Sequence, residues 1–261
     1  MNIEFFSEAA GRYASAANER FYRMIAAALL KKVPAYIDPK SILEVGAGTG
    51  FTTAEIRAKW PNACITALEP AAGMLRIGRA AATDVDWRAD RLADFQGSKY
   101  DLVVASMSYH WLTPAEREKL ISLAGQGVLV LAIPVSTSRR SGRDSRMTPA
   151  QTALLETVHS LRVEPGWPRE TRRPELLLEG FSAKFRHVAV DELTVDEVYE
   201  DASEFIESLS ARGALEALFG RSADAAVTEL DARLSGLTGI SFSWAISLTT
   251  ASNDNNLTRY L

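Results

Sequence analysis

The stretch Leu43-Glu44-Val45-Gly46-Ala47-Gly48-Thr49-Gly50 decides the fold class of this chain of 261 residues. It begins inside a short apolar run, Ser41–Val45, and is followed by a helical pattern over Thr52–Lys59. Glycine lets the backbone turn sharply and lets a ligand approach without meeting a Cβ atom. The stretch therefore predicts a strand, a tight ligand-binding loop and a helix in succession.

Two other interpretations of this loop are open. It could be only a tight turn between a strand and a helix, or it could bind a dinucleotide. A dinucleotide loop has glycines in the spacing G-x-G-x-x-G, but the third glycine here is Gly50 and the required position holds Phe51. The carboxylate of Glu44 would also repel a phosphate and would suit an ammonium group. The loop therefore favours a ligand that has an amino group and no phosphate.

Strand and helix patterns alternate along the chain. Short apolar runs predict strands at Ser41–Val45, Cys64–Leu68, Val85–Ala89, Asp101–Ser106 and Val128–Ile133, and two more near Lys184–Val190 and Phe242–Thr249. Helical patterns lie between most of them, at Thr52–Lys59, Ala71–Ala81 and Pro114–Ala124. Continuous apolar strands separated by helices indicate a parallel sheet covered on both faces. We expect one α/β domain over residues 1–261, with a seven-stranded, mostly parallel, Rossmann-like sheet.

Three segments stand outside this alternation. Apolar residues at helical spacing from Phe6 to Leu29 predict a helical cap over residues 1–33. The segments 135–180 and 195–238 follow the fifth strand, and a stripe from Val195 to Leu209 predicts that the second segment is helical. Ligands of open α/β sheets bind outside the carboxyl ends of the strands. We therefore interpret both segments as lids that cover this crevice on the acceptor side.

Composition narrows the class of protein. Apolar residues make up 47% and charged residues 24% of the chain, enough for a core and a polar surface. A net charge of −4 favours neither nucleic acid nor an anionic membrane as a partner. No stretch approaches the ~20 apolar residues of a membrane span, and the start lacks a secretory signal, so we expect a cytoplasmic protein. Cys64, the single cysteine, lies in an apolar run and is expected to be buried. No cluster of residues has the spacing of a metal site.

The loop and several landmarks after it resemble the motifs of class I S-adenosylmethionine-dependent methyltransferases. The landmarks are Glu44, Gly46, Gly48 and Gly50 in motif I, Glu69-Pro70 after the second strand, Met74, Asp90-Arg91 after the third strand, and Ser106 at the end of the fourth. The resemblance implies that all of them bind the cofactor. Glu69 would accept hydrogen bonds from the ribose hydroxyls, Asp90 would face the adenine amino group, and Ser106 would lie beside the methionine end. For Met74, packing in the core is an equal alternative.

Residues outside these motifs are similar to enzymes that methylate carboxylates. Phe6–Ala17 and Ser203–Ala214 resemble parts of the malonyl-acyl-carrier-protein O-methyltransferases of biotin synthesis, and His110-Trp111-Leu112 resembles a short motif of the trans-aconitate methyltransferases. The resemblance implies O-methylation of an acidic acceptor, either a small molecule or a group bound to acyl carrier protein. Residues 133–140 depart from the first family's pattern. Another small-molecule acceptor (an acid, an amine or a phenol) and a non-catalytic cofactor-binding factor therefore stay open.

Three aromatic or basic residues are candidates for the reacting site. A carboxylate acceptor is ionised near pH 7 and needs positioning and a dry site rather than a base. Tyr13 would contact the acceptor or the sulfonium end if the N-terminal helix folds over the cofactor. His110 is a possible base, and Trp111 would line the acceptor pocket. For each of them, structural packing is the alternative.

Arginines are concentrated after the fifth strand. The segment Val135–Pro174 holds eight arginines against four acidic residues. Arginine binds carboxylates and phosphates in a forked geometry that lysine cannot copy. We therefore predict that Arg139 and Arg140 help to hold an acidic acceptor, with a solvated loop as the alternative.

Overall fold

A computed structural model describes residues 3–135, 147–163 and 178–254. Its seven strands are β1 (Ser41–Val45), β2 (Cys64–Leu68), β3 (Asp86–Arg88), β4 (Leu102–Ser106), β5 (Val128–Val135), β6 (His187–Tyr199) and β7 (Ile240–Ser252). They form one sheet in the order β3-β2-β1-β4-β5-β7-β6. β1 to β5 pair in parallel, and β7 runs antiparallel to both β5 and β6. The predicted seven-stranded, mostly parallel sheet is confirmed.

Helices flank this sheet. The described α-helices are α1 (Ile3–Tyr13), α2 (Ala16–Leu30), α3 (Phe51–Lys59), α4 (Ala72–Ala81), α5 (Pro114–Ala124), α6 (Pro149–Ser160), α7 (Phe181–Lys184), α8 (Ala202–Ala211), α9 (Ala214–Phe219) and α10 (Ala223–Leu234). α5 and α6 each begin with a capping box, at Thr113 and Thr148, in which the side chains of the first residue and the residue three positions later satisfy backbone N–H groups. The predicted bounds of α5 match those of the structure.

The core has two parts, one on each face of the sheet. Along β4, Leu102 and Val104 pack into one part and Val103 and Ala105 pack into the other. Such alternation in a strand that is apolar throughout is what a parallel sheet buried on both faces requires. The loops at the carboxyl ends of β1, β2 and β4 therefore meet at one edge of the sheet, held by a packed core beneath them.

The N-terminal segment is two helices rather than one. The break comes at Ser15, whose extended backbone and side-chain hydroxyl cap the start of α2 by accepting a hydrogen bond from Asn18 N. Serine competes well for this capping position. The apolar spacing continues across the break, which is why periodicity alone predicts a single helix.

The prediction that Val195 begins a helical segment is wrong. Residues 195–199 belong to β6, which pairs with β7 along its whole length. Val195 and Tyr199 are buried, whereas Val198 is 72% exposed, so the side chains alternate with the period of a strand. The helical part of this segment starts only at Ala202. Cys64 at the first position of β2 is exposed, so the expectation of a buried thiol is also wrong.

Candidate cofactor and acceptor site

The loop after β1 has a left-handed backbone at three glycines. Gly46, Gly48 and Gly50 have φ values of 71°, 60° and 95°, a region that side chains with a Cβ atom rarely adopt. The loop is tied to the end of β2 because Gly46 N and Ala47 N both donate to Leu68 O, at 2.9 Å and 3.0 Å. The sequence therefore forms a rigid turn at the carboxyl edge of the sheet.

The two sides of this loop differ in their surroundings. A Cβ atom on Gly46 would lie 2.5 Å from Ser108 Cβ, so the segment after β4 packs directly against that side. A Cβ atom on Gly48 would have only Tyr13 Cε1 near it, at 4.0 Å. The backbone at Gly48 thus faces open space bounded by the Tyr13 ring. A ligand can contact the backbone there without meeting a side chain.

Glu69 follows β2 and connects to the same loop. Its carboxylate accepts hydrogen bonds from Gly48 N through Oε2 and from Ala71 N through Oε1, both at 2.8 Å. Burial raises the pKa of Glu69, although these two hydrogen bonds act in the opposite direction. The side chain is therefore fixed beside Gly48 by the backbone of the loop and of the α4 N-terminus.

Two buried hydroxyl oxygens lie near this edge without a hydrogen-bond partner among the described residues. They are Thr49 Oγ1 in the loop and Ser106 Oγ at the end of β4. A buried polar atom without a partner costs free energy unless a ligand or water completes it. The glycine-lined space, the Glu69 carboxylate and these two oxygens together fit a polar ligand that carries hydroxyl and amino groups.

A cleft of about 490 Å³, which includes some open solvent, lies beside the loop. Its wall combines residues from α1, α2, the segment after β4, the turn after α8, and β7, among them Phe6, Tyr13, Phe21, Tyr22, Met107, His110, Trp111, Arg212 and Trp244. Tyr13 stacks on Tyr22 with ring centroids 5.0 Å apart. Because Tyr13 also borders Gly48, its ring lies next to both the loop and the cleft.

Comparison with known proteins identifies the family. Residues 42–126 match the family model described as a methyltransferase domain. A trans-aconitate 2-methyltransferase from Azoarcus sp. (strain BH72) is 29% identical over 192 residues, which cover 71% of this chain and 72% of that protein. These matches support a class I S-adenosylmethionine-dependent methyltransferase.

Two further relatives agree with this assignment of the methyltransferase. A malonyl-[acyl-carrier protein] O-methyltransferase from Anoxybacillus flavithermus is 32% identical over 127 residues, which cover 46% of each protein. The structure of a protein from Anaeromyxobacter dehalogenans, assigned to the type II methyltransferases, has a TM-score of 0.58 at 16% identity and covers 88% of this chain and 96% of that one. The structural likeness supports the fold alone.

The structure brings most of the predicted cofactor residues of the methyltransferase to one edge. Asp90 is half-buried directly after β3, the strand beside β2, and Glu69 N donates to Arg88 O at 2.9 Å. Pro70 continues the same turn. When bound, S-adenosylmethionine would supply a methyl group on a sulfonium, and we expect Gly48, Glu69, Asp90 and Ser106 to hold the rest of the molecule. Their individual roles stay predictions.

Three predicted cofactor residues are placed less favourably for direct contact. Glu44 is only 1% exposed, and its Oε2 accepts a hydrogen bond from Thr53 Oγ1 at 2.6 Å. Met74 packs under α1 against Ala10, as its alternative interpretation predicts. Arg91 is exposed, and its Nη2 lies 3.8 Å from Glu116 of α5. These contacts favour supporting positions for all three.

Some of the predicted acceptor residues lie within the residues that the structure describes, and others lie outside them. Tyr13, His110 and Trp111 all line the cleft. Arg139 and Arg140 lie outside the described residues. Burial lowers the pKa of His110 to about 3, so its imidazole is neutral at pH 7 and is a weak base. The cleft is also lined by Phe21, Tyr22, Trp244 and Arg212, which could not be predicted because no local sequence pattern shows that these residues converge.

No helix among residues 3–135, 147–163 and 178–254 is long and apolar enough to cross a membrane.

The docking of α1 beside the cofactor edge depends on a close approach at Gly73 of α4. Ser7 Oγ accepts a hydrogen bond from Gly73 N at 2.9 Å, and a Cβ atom on Gly73 would lie 2.0 Å from Ser7 O. We expect Gly73→Ala to displace α1, to destabilise the protein by about 1–3 kcal/mol and to weaken S-adenosylhomocysteine binding through Tyr13. Hydrogen exchange of the α1 amides should become faster.

Gly11→Ala is the matched control, because a Cβ atom there meets nothing within 4 Å and alanine favours a helix. It should leave exchange and binding unchanged or slightly improve stability. Equal α1 protection in wild type and Gly73→Ala would show that this contact does not hold the helix.

Proposed function

We propose that this methyltransferase transfers the methyl group to a carboxylate oxygen of an acidic acceptor, free or carried on an acyl carrier protein, as in malonyl-acyl-carrier protein. The observation that carries the proposal is the chemistry of the cleft wall. It presents the guanidinium of Arg212, while its histidine, His110, has a pKa lowered to about 3 by burial.

A wall whose histidine is a weak base and whose arginine is charged suits an acceptor that is already ionised. A carboxylate has lost its proton near pH 7, so its oxygen can attack the sulfonium carbon directly. An amine or a phenol must lose a proton, and a general base for that task works best with a pKa near the operating pH. Burial also raises the pKa of Tyr13 well above its ordinary value, so the Tyr13 hydroxyl stays protonated.

The wall also provides the dry surroundings that methyl transfer needs. About half of its residues are aromatic, and Tyr13 packs against both Tyr22 and Phe51 at centroid distances of 5.0 Å and 6.1 Å. Excluding water prevents hydrolysis and strengthens electrostatic contacts within the site. The role of the described residues is therefore to bind, orient and desolvate the acceptor.

The names of relatives point to the same class of acceptor. One relative is named for trans-aconitate and another for malonyl-[acyl-carrier protein], and both substrates are acids. A bifunctional protein of biotin biosynthesis from Cellvibrio japonicus is 34% identical over 110 residues. If malonyl-acyl-carrier protein is the acceptor, we infer that this methyltransferase serves biotin biosynthesis.

An acceptor panel tests the proposal. The purified protein is incubated with S-adenosylmethionine and, separately, with malonyl-acyl-carrier protein, trans-aconitate, a phenol and a primary amine, and both S-adenosylhomocysteine and methylated product are measured by mass spectrometry. We expect a methyl ester that mild base hydrolyses, from at least one of the two acids. Methylation of the phenol or the amine alone would contradict the proposal. Tight S-adenosylhomocysteine binding without any turnover would favour a non-catalytic binding factor.

A further inference from the structure

The side chain of Arg212 is held in a fixed position in the wall of the acceptor cleft. It follows α8, and Gly213, with a φ of 70°, turns the chain into α9 immediately afterwards. The Arg212 side chain is 3% exposed. Its guanidinium carbon lies 4.0 Å from the centroid of the Phe21 ring and 5.4 Å from that of Trp244. Both aromatic rings also line the cleft, so they fix the plane of the guanidinium there.

Hydrogen bonds hold this guanidinium in one orientation. Nε donates to Asn18 Oδ1 at 2.8 Å, and Nη1 and Nη2 donate to Glu197 Oε2 and Oε1 at 2.6 Å and 2.8 Å. Nη1 also lies 3.5 Å from the Tyr199 hydroxyl. Nη2 carries two N–H groups, and among the described residues it donates one hydrogen bond, to Glu197 Oε1. A second carboxylate approaching from the cleft can therefore still accept a hydrogen bond from Arg212.

The ion pair has its positive end toward the cleft. Arg212 lines the cleft, whereas Glu197 is not among the lining residues. Glu197 also accepts hydrogen bonds from the Tyr199 hydroxyl and from Trp244 Nε1, each at 2.8 Å. Although burial acts against ionisation, these donors and Arg212 hold the pKa of Glu197 below its ordinary value. An anion in the cleft therefore meets the side chain of Arg212 and not that of Glu197.

The energetics of buried ion pairs favour a functional explanation. Two buried charges recover their desolvation cost only with good geometry, and apolar residues of similar size often give equal or greater stability. Here a pair placed by three segments of the chain, around Asn18, Glu197 and Arg212, fills a wall that is otherwise mostly apolar. The guanidinium is always charged, and its remaining N–H group can donate a charge-assisted hydrogen bond to a carboxylate.

We propose that Arg212 anchors a carboxylate of the methyl acceptor, with Asn18 as its positioning residue and Glu197 as the counter-ion that competes with the bound carboxylate. The inference rests on the proposed function and names the residue that gives it specificity for acids. Tyr13 borders Gly48 of the cofactor loop and lines the same cleft as Arg212. The anchored carboxylate would thus lie in the cleft that the Tyr13 ring shares with the cofactor edge.

The test compares three variants with a matched control. Arg212→Gln removes the charge, Arg212→Lys keeps the charge without the fork, and Glu197→Gln leaves the guanidinium without its anionic partner. Arg233→Gln is the control, because Arg233 also pairs with two carboxylates, Glu156 and Glu229, but does not line the cleft. For each protein we would measure KM and kcat with trans-aconitate and malonyl-acyl-carrier protein, and the Kd of S-adenosylhomocysteine.

We expect Arg212→Gln to raise the acceptor KM about 10- to 50-fold, the loss of a charge-assisted hydrogen bond, with the S-adenosylhomocysteine Kd within about twofold of wild type. Arg212→Lys should have an acceptor KM between those of the wild type and Arg212→Gln. Glu197→Gln should lower the acceptor KM several-fold, because the unpaired guanidinium attracts an anion more strongly. If the ion pair has only a structural role, Arg212→Gln and Glu197→Gln should instead show the same defect. If Arg212→Gln does not fold, the other two variants decide between these explanations.

The outcomes separate this inference from the proposed function. Turnover of an acid by the wild type, with an unchanged KM in both Arg212 variants or with a raised KM in Glu197→Gln, would overturn the anchor and leave the proposed function standing. Failure of the wild type to methylate any acid would overturn the proposed function and the anchor together.

Discussion

Gly48→Val is expected to weaken S-adenosylhomocysteine binding more than 100-fold, a loss of at least about 3 kcal/mol. The backbone at Gly48 faces open space, with only Tyr13 Cε1 at 4.0 Å from the position of a Cβ atom. A valine side chain would project into the volume that we assign to the cofactor. Its left-handed backbone, with a φ of 60°, would also be strained with a branched residue. Isothermal titration calorimetry measures the affinity directly.

The effect of backbone strain can be separated from that of ligand exclusion by a control substitution at another glycine with a left-handed backbone. Gly236 has a φ of 77° and no atom within 4 Å of a Cβ position, and it lies after α10 rather than at the loop. Gly236→Val should lose similar stability, about 1–2 kcal/mol for a left-handed residue, and should bind S-adenosylhomocysteine like the wild type. Normal binding by Gly48→Val would show that the loop is not the cofactor site.

Glu44→Gln is expected to remove a large pH dependence of stability. Burial raises the pKa of Glu44 from its ordinary 4.5 to about 8, opposed by the hydrogen bond from Thr53 and assisted by the charge of Glu69. Between these two pKa values the folded protein keeps a proton that the unfolded chain releases. Stability from this group is therefore complete below about pH 4.5 and is lost as the pH rises toward 8.

The expected difference is large enough to measure by urea unfolding at pH 5, 7 and 9. The free energy of unfolding of Glu44→Gln minus that of the wild type should increase by about 3–5 kcal/mol as the pH is raised from 5 to 9. Glu55→Gln on α3 is the control, because Glu55 forms a partly exposed pair with Arg23 that contributes little. Parallel pH profiles for wild type and Glu44→Gln would contradict a protonated Glu44 in the folded protein.

The cofactor edge could be predicted because its signal is local. A strand, three glycines and a helix occupy Ser41–Lys59, and the left-handed backbone found at Gly46, Gly48 and Gly50 is what those glycines permit. Glu69 lies one strand away, and its position follows from the parallel order of β1 and β2. Local turn chemistry and a repeating strand–helix pattern therefore determine this half of the site.

The acceptor wall could not be predicted in the same way. Arg212 and Asn18 are 194 residues apart in sequence and meet only because the turn after α8 packs against α2. Residues 195–199 were a further source of error, since Val195 and Tyr199 fit both helical spacing and the alternation of a strand. Pairing with β7 decides between the two, and a strand register that sets Val195 opposite Trp244 is not visible in local periodicity.

We propose that the edge formed by the glycine loop and Glu69 binds S-adenosylmethionine. Calorimetric titration of S-adenosylhomocysteine and of NAD into wild type and Glu69→Ala tests this binding. We expect one S-adenosylhomocysteine per wild-type chain, a loss of about 1–3 kcal/mol of binding free energy in Glu69→Ala, and no binding of NAD. Tight binding of NAD without binding of S-adenosylhomocysteine, or equal S-adenosylhomocysteine affinity in the two proteins, would contradict it.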